Sequence, residues 1–344
     1  MAAARLTSNV RLPWDHITAL SANFQHLLSI FPTKLEFAFA YGSSVYKQDG
    51  YKSTKGNMVD LIFVVDDPVS FHSDNLHMNP KHYSALKYCG PSTLAAIQDH
   101  WGARIYFNTL VPCDLGLLKY GVISTASLIT DLLDWEWLYT SGRLHKPVVP
   151  LILPQNSTLR SALQLNLQNA LHTALLLLPE IFTEESLYLT LTGLSYAGDF
   201  RMIVGEDRNK VSNIVRPQQQ NFRELYSPLF PLFGQWADLT TSGRCVQDAS
   251  PPARLFHLNL LPKKLQQIVV HGWNRDGRWQ DVEDILRAAA HDTECPELIK
   301  DALRKIVRSS SWTQSLKGIL TAGVTKSVRY SSAKLGKMWK SLKK

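Results

Sequence analysis

The chain has 344 residues, enough for two domains and a tail, and its 45% apolar content supports real hydrophobic cores. Its net charge of +8 sits at one end: eleven lysines and arginines and no acid follow Asp301, so the body before them carries −3. An acidic body argues against a protein that wraps nucleic acid, and no apolar run reaches the ~18–20 residues of a membrane span.

Arg5 and Arg11 precede the first acid, Asp15, in a segment that fits a short mitochondrial presequence or a frayed leader. Residues 15–31 read as an amphipathic helix, with Ile17, Leu20, Phe24, Leu27 and Leu28 on one side. The apolar run Phe37-Ala38-Phe39-Ala40 then ends in Tyr41-Gly42-Ser43-Ser44, and a second strand runs from Val59 through Asp60 to Val65. Glycine lets backbone approach a ligand closely, and Ser43 and Ser44 offer hydroxyls and N–H groups to phosphate oxygens. Asp60 opens its strand at the sheet edge, where its carboxylate suits a magnesium ion shared with phosphates. Lys47 and Lys52, in the loop between the strands, are candidates to pair with a triphosphate. This strand–turn–strand corner resembles that of polymerase-β-type nucleotidyltransferases, although a Gly-Ser turn alone occurs in many folds. The usual second acid, two positions on, is here Ile62, and Asp66 lies ~20 Å along the strand. Asp66-Asp67-Pro68 reads as the strand's end, so the second carboxylate must come from elsewhere.

Residues 69–83 read as a loop carrying His72, His77 and His82, whose spacing fits surface or substrate-positioning roles better than a metal site. A helix over 92–101, a strand over Arg104–Val111 and a short strand or turn at Lys119–Ile123 follow, and Ser124 caps a helix to about Trp135. A strand starts at Lys146-Pro147-Val148-Val149, and the α/β part ends near residue 153. The rest is mostly helical. Ser157 caps a leucine-rich helix that stops before Pro179, and Thr183 with Glu184 and Glu185 starts another. Asp199, beside Gly198, is either a turn residue or the missing carboxylate; Arg201 and Lys210 are candidates to neutralise phosphate. Residues 228–255 look like a loop, and two short helices, 262–271 and 281–290, precede the tail. Cys89, Cys113, Cys245 and Cys295 form no Cys-x-x-Cys pair, which fits a reducing compartment.

In the tail, Val324, Val328, Leu335, Met338, Trp339 and Leu342 recur at helical spacing among Lys326, Lys334, Lys337 and Lys340. A basic amphipathic helix with an interfacial tryptophan suits an anionic membrane surface. The alternatives are a helix docked on the protein's own body and RNA binding through the same lysines.

Several longer stretches resemble one family: Phe39 to Tyr46, Asp60, Val65 to His72, Lys119 to Ser124, Gly142 to Pro147 and Gly193 to Met202. In order and from about residue 15 into the tail, they resemble the mitochondrial phosphatidate cytidylyltransferases of the translocator assembly and maintenance type. The resemblance implies an α+β fold with a polymerase-β-like nucleotidyltransferase domain (1–153). It implies a mostly helical, winged-helix-like domain (154–305) and a basic membrane-associating tail (306–344). It implies CTP and phosphatidic acid as substrates, Mg2+ as cofactor, and CDP-diacylglycerol and pyrophosphate as products that feed cardiolipin synthesis. It implies a peripheral position on the matrix side of the mitochondrial inner membrane. By residue, it assigns Gly42, Ser43 and Ser44 to the CTP phosphates and Asp60, with Asp199, to the metal. Lys47, Lys119 and Arg201 fall to charge neutralisation. The competing readings are an RNA 3′-end nucleotidyltransferase, which needs a basic groove, and a non-catalytic adaptor, which tolerates loss of Asp60.

Overall fold

A computed structural model describes residues 22–46, 58–114, 116–202, 209–239, 243–274 and 280–323. The elements run, in order, α1 (Ala22–Ser29), β1 (Phe37–Tyr41), β2 (Val59–Val65), α2 (Pro68–Met78), α3 (Pro91–His100), β3 (Ile105–Cys113) and β4 (Gly116–Ser124). There follow α4 (Thr125–Asp134), α5 (Ser141–Leu144), β5 (Val149–Ile152), α6 (Ser157–Leu177), β6 (Ile181–Phe182), α7 (Glu184–Gly193), α8 (Lys210–Val215) and α9 (Gln219–Tyr226). The last are β7 (Ala237–Asp238), β8 (Cys245–Gln247), α10 (Pro251–Asn259), α11 (Lys263–Trp273), α12 (Val282–His291) and α13 (Cys295–Ala322). The mixture of helix and sheet is the α+β class expected from the sequence. Among the described residues two units form: those up to Ile129, Val148–Gln164 and those from Trp312 on make one, and Thr130–Pro147 with Leu165–Ser311 make the other.

The first unit is built on a five-stranded mixed sheet in the order β3-β4-β2-β1-β5. β2 runs parallel to β4, while β1 is antiparallel to both β2 and β5. Strand residues alternate between the two faces. Ala38, Ala40, Val59, Leu61, Phe63, Leu118, Tyr120 and Val122 share one core cluster with Phe31 and Phe71. Asp67 caps α2 by accepting from the backbone N–H groups of Val69 and Ser70, with Pro68 in the first turn. The segment expected as a loop over 69–83 is therefore mostly helix, its start set by the same Asp-Pro pair that ends β2. His72 is correspondingly not a surface residue. It is fully buried, and its ring bonds Tyr83 Oη (2.9 Å) and Gln98 Oε1 (3.0 Å). Burial, only partly offset by the Gln98 bond, lowers its pKa to about 4, so it is neutral.

In the second unit, β6, β8 and β7 form a small antiparallel sheet among helices. Its polar centre is Asp131, 1% exposed, whose two carboxylate oxygens accept from the backbone N–H groups of Trp137, Leu138, Thr140 and Ser141 at 2.8–3.0 Å. Asn166 joins the same region: its Oδ1 accepts from Trp135 Nε1 and His145 Nε2, and its Nδ2 donates to the Ser141 carbonyl. Two local expectations are corrected. Asn156, not Ser157, caps α6, its Oδ1 accepting from Leu159 N at 3.1 Å. The stretch 228–255 is not a plain loop, since it holds a 3₁₀ turn over Ser227–Phe233, the strands β7 and β8 and the start of α10. Proline and small polar residues there shape short elements rather than prevent them.

Replacing Asp131 by alanine leaves four backbone N–H groups, three of them buried, without this acceptor, and we expect a loss on the order of 3 kcal/mol or more. Urea denaturation checks this; a loss below ~1 kcal/mol would mean that other contacts hold the 137–141 segment.

Candidate active site

Register brings together the first unit's candidate site side chains. In β2, Asp60 lies opposite Tyr41 of β1 on one side and opposite Lys119 of β4 on the other. Tyr41 leads directly into Gly42, so the turn, the carboxylate and the lysine line up across three strands at one sheet edge. Gly42 takes φ +87°, a backbone that disfavours any Cβ, and a Cβ there would sit 3.4 Å from Asp60 Oδ2. The turn closes through Val45 N and Tyr46 N, both donating to the Gly42 carbonyl, and Tyr46 Oη anchors it to the Val148 carbonyl at 3.2 Å. Ser44 Oγ is buried without a hydrogen-bond partner among the described residues. A buried hydroxyl without a protein partner leaves room for a ligand or water to complete it.

Lys119 Nζ is 3.9 Å from Asp60 Oδ1 and 4.4 Å from the centroid of the Phe107 ring. Phe107 reaches that place because the residue opposite it is Gly121, where a Cβ would meet Phe107 Cε1 and Ile105 Cδ1 at 2.6 Å. Side chains at 62 share a face with Asp60, and the register explains the missing second acid. Ile62 is fully buried between Phe39 and Gly121, so a carboxylate there would be desolvated under the aromatic layer. Among the described residues, no cluster of three or more His, Cys, Asp or Glu side chains forms a self-sufficient metal site. One carboxylate and an orphaned hydroxyl fit an ion that takes its other ligands from phosphates and water.

The other site candidates lie elsewhere. Asp199 and Arg201 belong to the second unit. Asp199 is 3% exposed, and both its oxygens accept from Arg201: Nε at 2.9 and 3.0 Å, Nη2 at 2.5 Å. Each candidate thus neutralises the other in this arrangement. Gly198, at φ +75°, lets that turn press on α13, since a Cβ would meet the Arg304 carbonyl at 2.8 Å. Lys47 of the nucleotide loop, and Lys326, Lys334, Lys337, Trp339 and Lys340 of the tail, lie outside the described residues. Sequence reasoning missed Phe107 and Gly121, although an aromatic and a glycine at matched positions of adjacent strands were there to be noticed.

A family model described as mitochondrial phosphatidate cytidylyltransferase matches residues 24–337. The chain belongs to that family. It is 50% identical to the phosphatidate cytidylyltransferase of Xenopus laevis over 326 residues, covering 93% of this chain and 96% of that protein. The Bos taurus protein of the same name is 50% identical over 318 residues (92% and 94% covered), and that of Drosophila melanogaster 42% over 337 (91% and 98%). Membership of a family of enzymes sets aside the reading of the chain as a non-catalytic adaptor. We expect Gly121→Ala to lower stability by ~1–3 kcal/mol through crowding of Ile105 and Phe107. Thermal unfolding of Gly121→Ala, Ile105→Ala and the double variant should show the double losing clearly less than the sum; simple additivity would contradict the contact.

Proposed function

We propose that the protein catalyses magnesium-dependent transfer of the cytidylyl group from CTP to phosphatidic acid, giving CDP-diacylglycerol and pyrophosphate in mitochondria. The observation that carries this reading is the alignment of Gly42, Asp60 and Lys119 across β1, β2 and β4. It is supported by relatives whose names state the reaction's two substrate classes. The first unit's mixed sheet suits a polymerase-β-like nucleotidyltransferase domain, and the second unit's helices with a small sheet suit a winged-helix-like one.

In this reading the Gly42 turn receives the CTP phosphates, with Ser43 and Ser44 donating to phosphate oxygens and the missing Cβ leaving room beside Asp60. Asp60 would hold the ion, whose chemistry is to neutralise phosphate charge as the leaving group departs. Lys119, kept in place by the Phe107 ring, adds a fixed positive charge beside it. An oxygen of the phosphatidate phosphate attacks the α-phosphorus, the bond from that phosphorus to the bridging oxygen breaks, and pyrophosphate leaves. The nucleophile is a phosphomonoester, already ionised at neutral pH, so positioning and charge neutralisation dominate over base catalysis.

Membrane association is part of the proposal, at the matrix face of the inner membrane and in support of cardiolipin synthesis. No described helix is long and apolar enough to cross a bilayer. The last turns of α13 have an inverted polarity that favours peripheral binding. Their inner side is polar: Gln314 Oε1 accepts from Ala103 N, Gln314 Nε2 donates to the Ile105 carbonyl, and the wholly buried Lys317 donates to the carbonyls of Gln98 and Trp101. Their outer side exposes Trp312, Leu316, Ile319 and Leu320 at helical spacing. Apolar side chains turned outward just before a lysine-rich tail suit the headgroup boundary of an anionic bilayer.

Vesicles of phosphatidic acid supplied with CTP test the reaction. We expect CDP-diacylglycerol with magnesium, none with EDTA, and a drop on the order of 10²–10³-fold for Asp60→Ala. Wild-type turnover by that variant would remove Asp60 from the mechanism. In flotation assays, Leu316→Glu with Ile319→Glu should lower binding to cardiolipin-containing vesicles by about tenfold or more. Unchanged flotation would exclude this face of α13 as the contact.

A further inference from the structure

The row of side chains at the nucleotide corner extends one strand beyond Lys119. β3 pairs with β4 regularly as far as Asn108, opposite Tyr120, and again from Val111, opposite Leu118. Two residues of β3, Thr109 and Leu110, therefore stand against one of β4, Lys119, which makes a β-bulge. Leu110 takes φ +53°, a left-handed backbone that a bulky side chain rarely adopts. Phe107 lies on the Asp60 face of the sheet, since its ring meets Lys119 Nζ. Pairing is regular through Asn108, so Thr109 returns to that face beside Lys119. Val111 would share the face in an unbroken strand, but the extra residue turns it into the opposite core with Leu118 and Tyr120.

Thr109 is 8% exposed, and its Oγ1 is buried with no hydrogen-bond partner among the described residues. Burying an unbonded hydroxyl is unfavourable, and valine would fill the same volume of a strand without that cost. A left-handed leucine that sets such a hydroxyl beside a lysine is strain of the kind found at ligand sites.

Position in the row indicates which substrate this hydroxyl meets. Across the sheet the order is the Gly42 turn after β1, Asp60 on β2, Lys119 on β4 and Thr109 on β3. Phosphoryl transfer sets the attacking and leaving oxygens roughly in line, on opposite sides of the phosphorus. With the leaving pyrophosphate at the Gly42 turn and the α-phosphorus beside Asp60, the attacking oxygen comes from the side of β4 and β3. We propose that Thr109 Oγ1 and Lys119 Nζ bind the phosphomonoester of the acceptor lipid and aim its oxygen at the α-phosphorus. This assignment rests on the cytidylyl-transfer reading and gives that reaction's acceptor a place. Lys119 supplies charge, and Thr109 supplies one donor of fixed direction to a phosphate oxygen. The new oxygen–phosphorus bond forms on the Thr109 side as the bond to the bridging oxygen breaks on the Gly42 side, and Thr109 keeps its proton throughout.

The experiment compares the full-length wild type with Thr109→Val and Thr109→Ser, using CTP and soluble dihexanoyl phosphatidic acid. Valine keeps the shape and removes the hydroxyl, whereas serine keeps the hydroxyl. We expect Thr109→Val to raise KM for dihexanoyl phosphatidic acid by about tenfold or more, the scale of one lost bond to a charged group, and to leave KM for CTP unchanged. Calorimetric titration with dihexanoyl phosphatidic acid should show the same loss without turnover, and Thr109→Ser should recover most of the affinity. Unchanged KM and affinity for dihexanoyl phosphatidic acid in Thr109→Val overturn the proposal. So does a rise in KM confined to CTP, which would place Thr109 on the nucleotide. If Thr109→Val does not fold, Thr109→Ala takes its place with the same two outcomes. Failure of the cytidylyl-transfer reading is visible separately: the wild type then makes no lipid product from CTP, whereas failure of this assignment alone leaves wild-type turnover intact.

Discussion

The pairing of β2 between β1 and β4 is the constraint on which the active-site account depends. Parallel pairing with β4 sets Lys119 beside Asp60, and antiparallel pairing with β1 sets Tyr41, and hence the Gly42 turn, on its other side. A shift of one residue in either register would break both alignments and turn Asp60 to the face that Leu61 and Phe63 now occupy. The buried, apolar strands that build the core therefore also place the carboxylate, at the end of β2 where burial is incomplete. The sheet is a positioning device because the hydrophobic effect enforces its register.

The same sheet explains where the chain departs from the two-acid pattern of its resemblance. Ile62 lies between Phe39 and Gly121, and Gly121 exists to admit the Phe107 ring beneath Lys119. The face that would carry a second acid is committed to supporting a lysine instead. A single protein carboxylate suffices for a magnesium ion whose remaining ligands are phosphates and water. A lysine fixed over an aromatic ring supplies positive charge without needing an acid to hold it.

Much of this was legible in the chain because the signals were local. The strand ending in Tyr41-Gly42, the aspartate opening β2, the leucine period of α6 and the Thr183 cap all act within a few residues, and each lies where its pattern places it. What was not legible depended on partners distant in sequence. His72 looked like a loop histidine, yet it is buried by Tyr83 and Gln98. Lys317 looked like one more tail lysine, yet it is fully buried against the carbonyls that end α3. Composition counts both as polar surface; only tertiary contact shows that the polar side of α13 faces inward and its apolar side outward. Asp199 and Arg201 illustrate the same point, because a candidate metal carboxylate and a candidate phosphate partner are paired with each other.

The central claim is that Asp60 holds a divalent ion in company with nucleotide phosphates. Electron paramagnetic resonance of manganese, titrated into the wild-type protein and into Asp60→Asn with and without CTP, tests it without relying on turnover. The account predicts tight manganese binding by the wild type only when CTP is present, and its loss in Asp60→Asn. Equal CTP-dependent binding by the two proteins would contradict it.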